Sequence, residues 1–402
     1  MKQFRLWFGD ALAPLRWQPL LGRTRQSCVA FACLALSLFI MGCSDSDSEA
    51  FTLDSPAAAS VDAPDAMGPY SVGHVRMEFI DVLRDNRSLP ADIWFPAAKA
   101  DIGDAINTIY PLQGPLGIES IVSFDDVPAA PGERRGLLIF SHGFGGTNTQ
   151  STALMEQLAS QGFVIVSPEH TGNTNSDRSD PNPAANRVPD VSFIIDSLLA
   201  LNDSQGDRFF ETIDANKIGV LGHSGGGFTS IGAVTGYEST PADARVKAIM
   251  PISAAIAGSY SADDLALVSV PVLLMGGTLD TSVPITLNDF AFEALVSAPQ
   301  VLQVDVVGAT HTHFANICDI ASWLIENGLT PDLWDSIGAA ALTAPYLDTC
   351  SEDAFPIGRV LRLQNLYATA FFRYHLNGET GYGKFLEQGY AESELDIKFK
   401  SR

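Results

Sequence analysis

Positive charge is scarce in this 402-residue chain: 24 Lys and Arg stand against 47 Asp and Glu, a formal net charge of -23 at pH 7. A surface of that sign repels nucleic acid and anionic lipid headgroups, but it does not exclude neutral esters. Solubility alone also accounts for an acidic surface. Long apolar runs are nearly absent. One stretch, residues 28–41, stands out, and it is too short to span a bilayer comfortably. Cysteine is rare, five in all, and none has zinc-type spacing. No internal repeat is visible, which argues against a solenoid or propeller.

The short apolar run has a context. Lys2, Arg5, Arg16, Arg23 and Arg25 precede it against a single acid, Asp10, and it ends in Ile40-Met41-Gly42-Cys43. A basic stretch followed by a short apolar core reads as a secretory signal. The Gly42-Cys43 junction resembles the lipobox of bacterial lipoproteins, although Met41 stands where a small or branched residue is usual. Cys43 is therefore the expected lipid-modified start of the mature chain. An uncleaved anchor or ordinary signal-peptidase cleavage are the alternatives. Residues 1–42 are the expected signal and 43–69, which open Ser-Asp-Ser-Asp-Ser-Glu after Cys43, a polar tether. Residues 70–402 are the expected catalytic domain, at a bacterial cell envelope, lipid-anchored or released. Cys28 and Cys33 leave with the signal. Cys318 and Cys350 remain in an exported chain, so a disulfide is expected between them. Closing that loop contributes about 3–4 kcal/mol. Two free thiols are the plain alternative.

Along the rest of the chain, residues 75–82 and 91–95 read as paired strands joined through Asp85-Asn86-Arg87. Residues 101–133 are rich in Pro and Gly and read as an irregular surface excursion. Strand and helix then alternate. Apolar strands are expected at 137–140, 163–166, 218–221, 246–252, 270–275 and 301–307. Helices are expected at 151–160, along the face Val191, Ile194, Ile195, Leu198 and Leu199, and around 368–372. Continuous apolar strands between amphipathic helices imply an α/β fold, with a mostly parallel sheet covered on both faces.

One strand runs straight into Gly222-His223-Ser224-Gly225-Gly226, the G-x-S-x-G pattern of a nucleophile elbow. A nucleophilic serine must stand at the tip of a sharp strand-to-helix turn, and the flanking glycines let strand and helix close on it. A Gly-rich turn alone is the bland alternative. Serine needs a base, and the base needs an orienting carboxylate. Asp280 stands beyond the apolar strand 270–275, and His311 beyond 301–307. The order serine, acid, histidine is that of the α/β-hydrolase triad. His313 competes with His311 for the role of base; otherwise it is a rim residue or a packing contact. Alternating histidines also suit a metal, but no third ligand of quality is nearby. An oxyanion hole needs two inward backbone N–H groups. Gly225 supplies one, and the loop Ser141-His142-Gly143-Phe144-Gly145-Gly146 the other, through Phe144.

These runs carry a resemblance. Phe-Ser-His-Gly-Phe-Gly-Gly-Thr, Leu-Ala-Ser-Gln-Gly-Phe-Val-Ile-Val-Ser-Pro-Glu-His and Gly-His-Ser-Gly-Gly-Gly resemble the α/β-hydrolase superfamily. Within it the chain resembles bacterial proteins related to dienelactone hydrolase and platelet-activating-factor acetylhydrolase, over about residues 74–376. It departs from both. Dienelactone hydrolases proper use a cysteine nucleophile, where this chain has Ser224. Plasma-type acetylhydrolases take their acid just after the strand following the elbow, where this chain has Pro251-Ile252-Ser253-Ala254. Residues 143–163 are also similar to polyester-degrading cutinases, without their aromatic clamp. The resemblance implies a serine esterase acting on a neutral small-molecule, lipid or polymer ester, with no cofactor, no metal and no nucleic acid. No protein partner is evident. A lipase, phospholipid acetylhydrolase or polyester hydrolase on the same triad is the alternative, and a non-catalytic envelope lipoprotein the remote one.

Overall fold

The computed structural model describes residues 63–99, 102–113 and 116–402. The expected signal, the expected acylation site Cys43 and most of the expected tether lie outside the described residues.

The strands are β1 (Ser71–Asp81), β2 (Arg87–Ala97), β3 (Asn107–Gln113), β4 (Leu116–Asp125), β5 (Arg135–Ser141), β6 (Val164–Pro168), β7 (Ile213–His223), β8 (Val246–Ile252), β9 (Val272–Gly277), β10 (Val301–Val306) and β11 (Ile397–Ser401). Among the described residues they form one sheet in the order β11-β10-β9-β8-β7-β5-β6-β2-β1-β4-β3. The stretch from β10 to β6 is parallel throughout. The parallel strands fall where apolar runs placed them, and the α/β reading holds.

The helices are α1 (Thr152–Ser160), α2 (Pro183–Asp203), α3 (Gly225–Thr235), α4 (Ala262–Leu265), α5 (Thr286–Ala294), α6 (Ile317–Glu326), α7 (Thr343–Thr349), α8 (Ile357–His375) and α9 (Gln388–Ala391). They explain why the parallel strands are apolar on both sides. Successive strand residues point to opposite faces. Leu137 and Ile139 of β5 join a core with Val191, Ile194, Ile195 and Leu198 of α2 and Phe228 and Ile231 of α3. Leu138 and Phe140 join the opposite core, with Leu154, Met155 and Leu158 of α1 and Leu363, Leu366, Phe371 and Phe372 of α8. Neither face reaches water, so no polar alternation survives.

Three segments differ from expectation. The excursion at 101–133 contains the hairpin β3–β4, which extends the sheet beyond β1. Pro111 is accommodated because β3 is the edge strand, where a missing N–H breaks no ladder. Beneath the hairpin, buried His74 bonds Asp92 at 2.7 Å and Asp125 at 2.8 Å. Residues 63–69, expected as the end of the tether, lie against α1. Gln157 Nε2 donates to the carbonyls of Pro64 and Ala66, and Gly68 N–H donates to Ser160 Oγ. Finally, a small third core of Ala321, Leu324 and Trp334 forms in the segment after β10.

Candidate active site

Ser224 lies between β7 and α3 at φ 57°, ψ -115°. A non-glycine residue in this region costs about 1–3 kcal/mol and persists only where its surroundings impose it. The surroundings do so. Ser224 N–H donates to Ile252 O at 2.8 Å, and the Ser224 carbonyl accepts from Phe228 and Ala255, each at 3.1 Å. A β-carbon added at Gly226 would sit 1.7 Å from Ser141 O. Only glycine lets β5 close against the elbow.

The loop after β5 closes on the same point. A β-carbon at Gly225 would lie 2.8 Å from Phe144 N. Neither the Phe144 nor the Gly225 N–H has a protein acceptor among the described residues. The orientation of the Phe144 amide follows from its own peptide. The Gly143 carbonyl accepts from Gly146 N–H at 3.0 Å and from His142 Nδ1–H at 2.7 Å. In a trans peptide the N–H points the opposite way.

Below this loop lies buried Arg187, a residue the sequence reading passed over. Its guanidinium donates to the His142 carbonyl and, at 3.1 Å, to Thr229 Oγ1, and lies 4.9 Å from the Phe144 ring centroid. Burial lowers it to about 9, against the pull of Asp190, so it remains charged at neutral pH. A signal was present. Arg187 falls on the helical face of Val191, Ile194 and Leu198, where a lone cation must have buried partners.

Asp280 and His311 meet across the ends of β9 and β10. His311 Nδ1–H donates to Asp280 Oδ2 at 2.7 Å. Asp280 Oδ1 accepts from Ser282 N–H at 2.9 Å and Val283 N–H at 2.7 Å. Burial alone would raise the Asp280 carboxyl. The bond and charge of His311 and the Val283 amide outweigh it and hold the group below its ordinary value. With Nδ1 engaged, His311 presents Nε2. Both His311 and Ser224 line one cavity of about 330 Å³, walled by Tyr110 and Ile118 of the hairpin, Phe144, and Ile317 and Ile320 of α6. A neighbouring space of about 620 Å³ shares Pro111, Leu112, Thr147, Thr149 and Asn175 with it and adds Arg76 and Glu169.

His313 stays out of this arrangement. It is fully buried; its Nδ1 accepts from Thr310 N–H at 3.0 Å and its Nε2–H donates to Phe355 O at 2.9 Å. Of the two roles left to it by sequence, rim or packing, it has the second. Cys318 and Cys350 are joined, with 5.5 Å between their α-carbons, and the bridge clasps α6 to the end of α7. Among the described residues no group of three His, Cys, Asp or Glu side chains is arranged to hold a metal ion.

Residues 126–325 match the PET hydrolase-like family model, termed PETase. The chain belongs to the α/β-hydrolase superfamily. Within the superfamily it is similar to Cutinase est1 of Thermobifida alba, 28% identical over 178 residues, which are 44% of this chain and 53% of that protein. Cutinase 2 of Thermobifida cellulosilytica is 28% identical over 177 residues, 44% of this chain and 60% of that protein. Cutinase cut1 of Thermobifida fusca is also 28% identical over 177 residues, with 44% and 49% covered. This α/β-hydrolase thus spans about half the length of the relatives it matches. The stretch matched by the family model, residues 126–325, holds Ser224, Asp280 and His311, and leaves out the hairpin β3–β4 and most of the disulfide-clasped segment.

Proposed function

We propose that this α/β-hydrolase cleaves carboxylic esters through Ser224, His311 and Asp280 by way of an acyl-enzyme. The observation that carries the reading is the 2.7 Å bond between Asp280 and His311, a residue that lines the same cavity as the strained Ser224. His311 Nε2 takes the proton of the Ser224 hydroxyl as its oxygen attacks the ester carbonyl. Asp280 keeps the proton on Nδ1 and stabilises the imidazolium that forms. The Phe144 and Gly225 N–H groups meet the developing oxyanion, an interaction worth about 2.7–4 kcal/mol per donor in comparable sites. His311 then protonates the leaving alkoxide. Water, deprotonated by the same ring, releases the acid and restores Ser224.

The walls favour an ester with apolar groups on at least one side of the carbonyl, since Tyr110, Ile118, Ile317 and Ile320 line the cavity. The adjoining space favours an extended substrate over a minimal one. Relatives named cutinases bring polyesters into range for this chain. Export and acylation at Cys43 belong to the same proposal, on the signal-like segment and the Gly42-Cys43 junction.

The test is hydrolysis of p-nitrophenyl butyrate by the wild type and by Ser224→Ala, with polyester film as a second substrate. Wild-type turnover and loss in a folded Ser224→Ala variant are expected. A pure wild-type protein inert to every short-chain ester tried would overturn the reading.

A further inference from the structure

The residue between the first glycine and the serine of the elbow, His223, is nine-tenths or more buried and touches the loops on both sides of Ser224. Its Nδ1 accepts from Gln150 Nε2 at 2.8 Å, and its Nε2–H donates to the His311 carbonyl at 2.9 Å. Its ring centroid is 4.5 Å from that of His311. Gln150 completes the chain on the other side: its Oε1 accepts from Gly143 N–H at 2.9 Å. Three consecutive bonds thus run from the loop that carries Phe144, through one amide and one imidazole, to the backbone of His311.

We propose that Gln150 is a positioning residue that, through His223, sets the loop of Phe144 and the loop of His311 in register around Ser224. This rests on the serine-esterase reading given above.

The chain has only one polarity. Turning the Gln150 amide over would face its NH2 against Gly143 N–H and its oxygen against His223 Nδ1. That nitrogen would then need the proton, and the bare Nε2 would face the His311 carbonyl. Two of the three bonds would be lost, whichever nitrogen of His223 held the proton. Burial, and then the charge of His311, lower His223 to about 3, so the ring stays neutral and keeps its tautomer at working pH. The ionisable groups acting on it are His311 and Asp280.

Gln150 is itself held. Its carbonyl accepts from Asn316 N–H at 2.8 Å, and the adjacent Ser151 Oγ–H donates to Phe314 O at 2.9 Å. The loop after the oxyanion stretch is therefore stitched to the turn that bears His311, and the side chain of Gln150 has little freedom left to lose. Such preorganisation matters because small displacements of reacting groups cost rate steeply.

The experiment compares Gln150→Met and Gln150→Glu with wild type on p-nitrophenyl butyrate, measuring kcat, KM, Tm and the pH profile of kcat. Gln150→Met keeps the length and removes both bonds. Its kcat is expected to fall on the order of 10- to 100-fold, with KM within about threefold and a cooperative melt. Gln150→Glu keeps the acceptor for Gly143 but demands a proton on His223 Nδ1. It is expected to retain more activity on the acid side and to lose it through a titration between about pH 5 and 9 that wild type lacks. A Gln150→Met variant with wild-type kcat overturns the proposal, and so does a change confined to KM, which would make Gln150 a substrate contact. Should Gln150→Met fail to fold, the Gln150→Glu profile decides: no new titration overturns the relay. An inactive wild type is a different result, and it falls on the esterase reading alone.

Discussion

Replacing Asp280 by asparagine changes one atom and is expected to cost about four orders of magnitude in kcat. The structure dictates the amide's orientation. Oδ1 accepts from Ser282 and Val283 N–H, while Oδ2 accepts from His311 Nδ1–H. In Asp280→Asn, an NH2 turned toward the two backbone amides would leave both donors unpaired, at about 1–3 kcal/mol each. The amide oxygen therefore stays with the backbone, and the NH2 faces His311. His311 Nδ1 must then accept, so its proton moves to Nε2, the side that should take the proton of Ser224. The ring remains in place in the wrong tautomer. Comparable changes lower kcat about 10⁴-fold, close to 5 kcal/mol at 1.36 kcal/mol per decade. Kinetics on p-nitrophenyl butyrate, with KM and Tm measured beside kcat, read it directly. A folded Asp280→Asn variant within about tenfold of wild-type kcat would refute the tautomer argument and point to another carboxylate.

Other outcomes follow from the same contacts. His313→Ala removes the acceptor for Thr310 N–H and the donor to Phe355 O; Tm is expected to drop, by about 1–3 kcal/mol of stability, with kcat falling far less than in His311→Ala, and kinetics plus calorimetry separate the two. Burial pushes the Asp305 carboxyl up to about 6, against bonds from Gln303 and Asn288. Because this value is raised, the cost of ionising Asp305 in the fold is absent below the ordinary carboxylate range near 3.9 and grows as pH rises through about 6. Asp305→Asn should therefore raise Tm by roughly 3 °C at pH 8 and leave it unchanged at pH 4. Reducing Cys318–Cys350, which lie 32 residues apart, should cost about 3–4 kcal/mol in the chain-entropy limit and expose Trp334, now fully buried, as a red-shifted fluorescence spectrum.

The strand ends that carry Ser224, Asp280 and His311 were legible because each follows a run of apolar residues buried on two faces. The hairpin β3–β4 was not, since three of its buried residues, Thr108, Ser120 and Ser123, are polar, with Tyr110 the apolar one, while Ile109 and Ile121 are exposed. That inverted pattern gives no apolar alternation to read. β11 reads Ile-Lys-Phe-Lys-Ser, two apolar residues among lysines, and pairs only at an edge. Gln150 is one polar residue in a Thr- and Asn-rich loop, and its role exists only where His223 and Gly143 converge. His313 could not be assigned between rim and core because its partner Phe355 arrives 42 residues later. Patterning reports which faces are covered; hydrogen-bond partners distant in sequence leave no periodic trace.

The central claim is that Ser224 is the nucleophile of an acyl-enzyme. A fluorophosphonate carries a leaving group at phosphorus and is attacked by an activated serine in the way an ester carbonyl is, but the adduct is stable. Intact-mass measurement and peptide mapping after labelling test the claim most directly. One adduct per chain is predicted, on the peptide that contains Ser224, with none in Ser224→Ala and a much slower reaction in His311→Ala. A native protein that stays unlabelled while it turns over esters, or that carries the adduct on a different serine, would contradict the account.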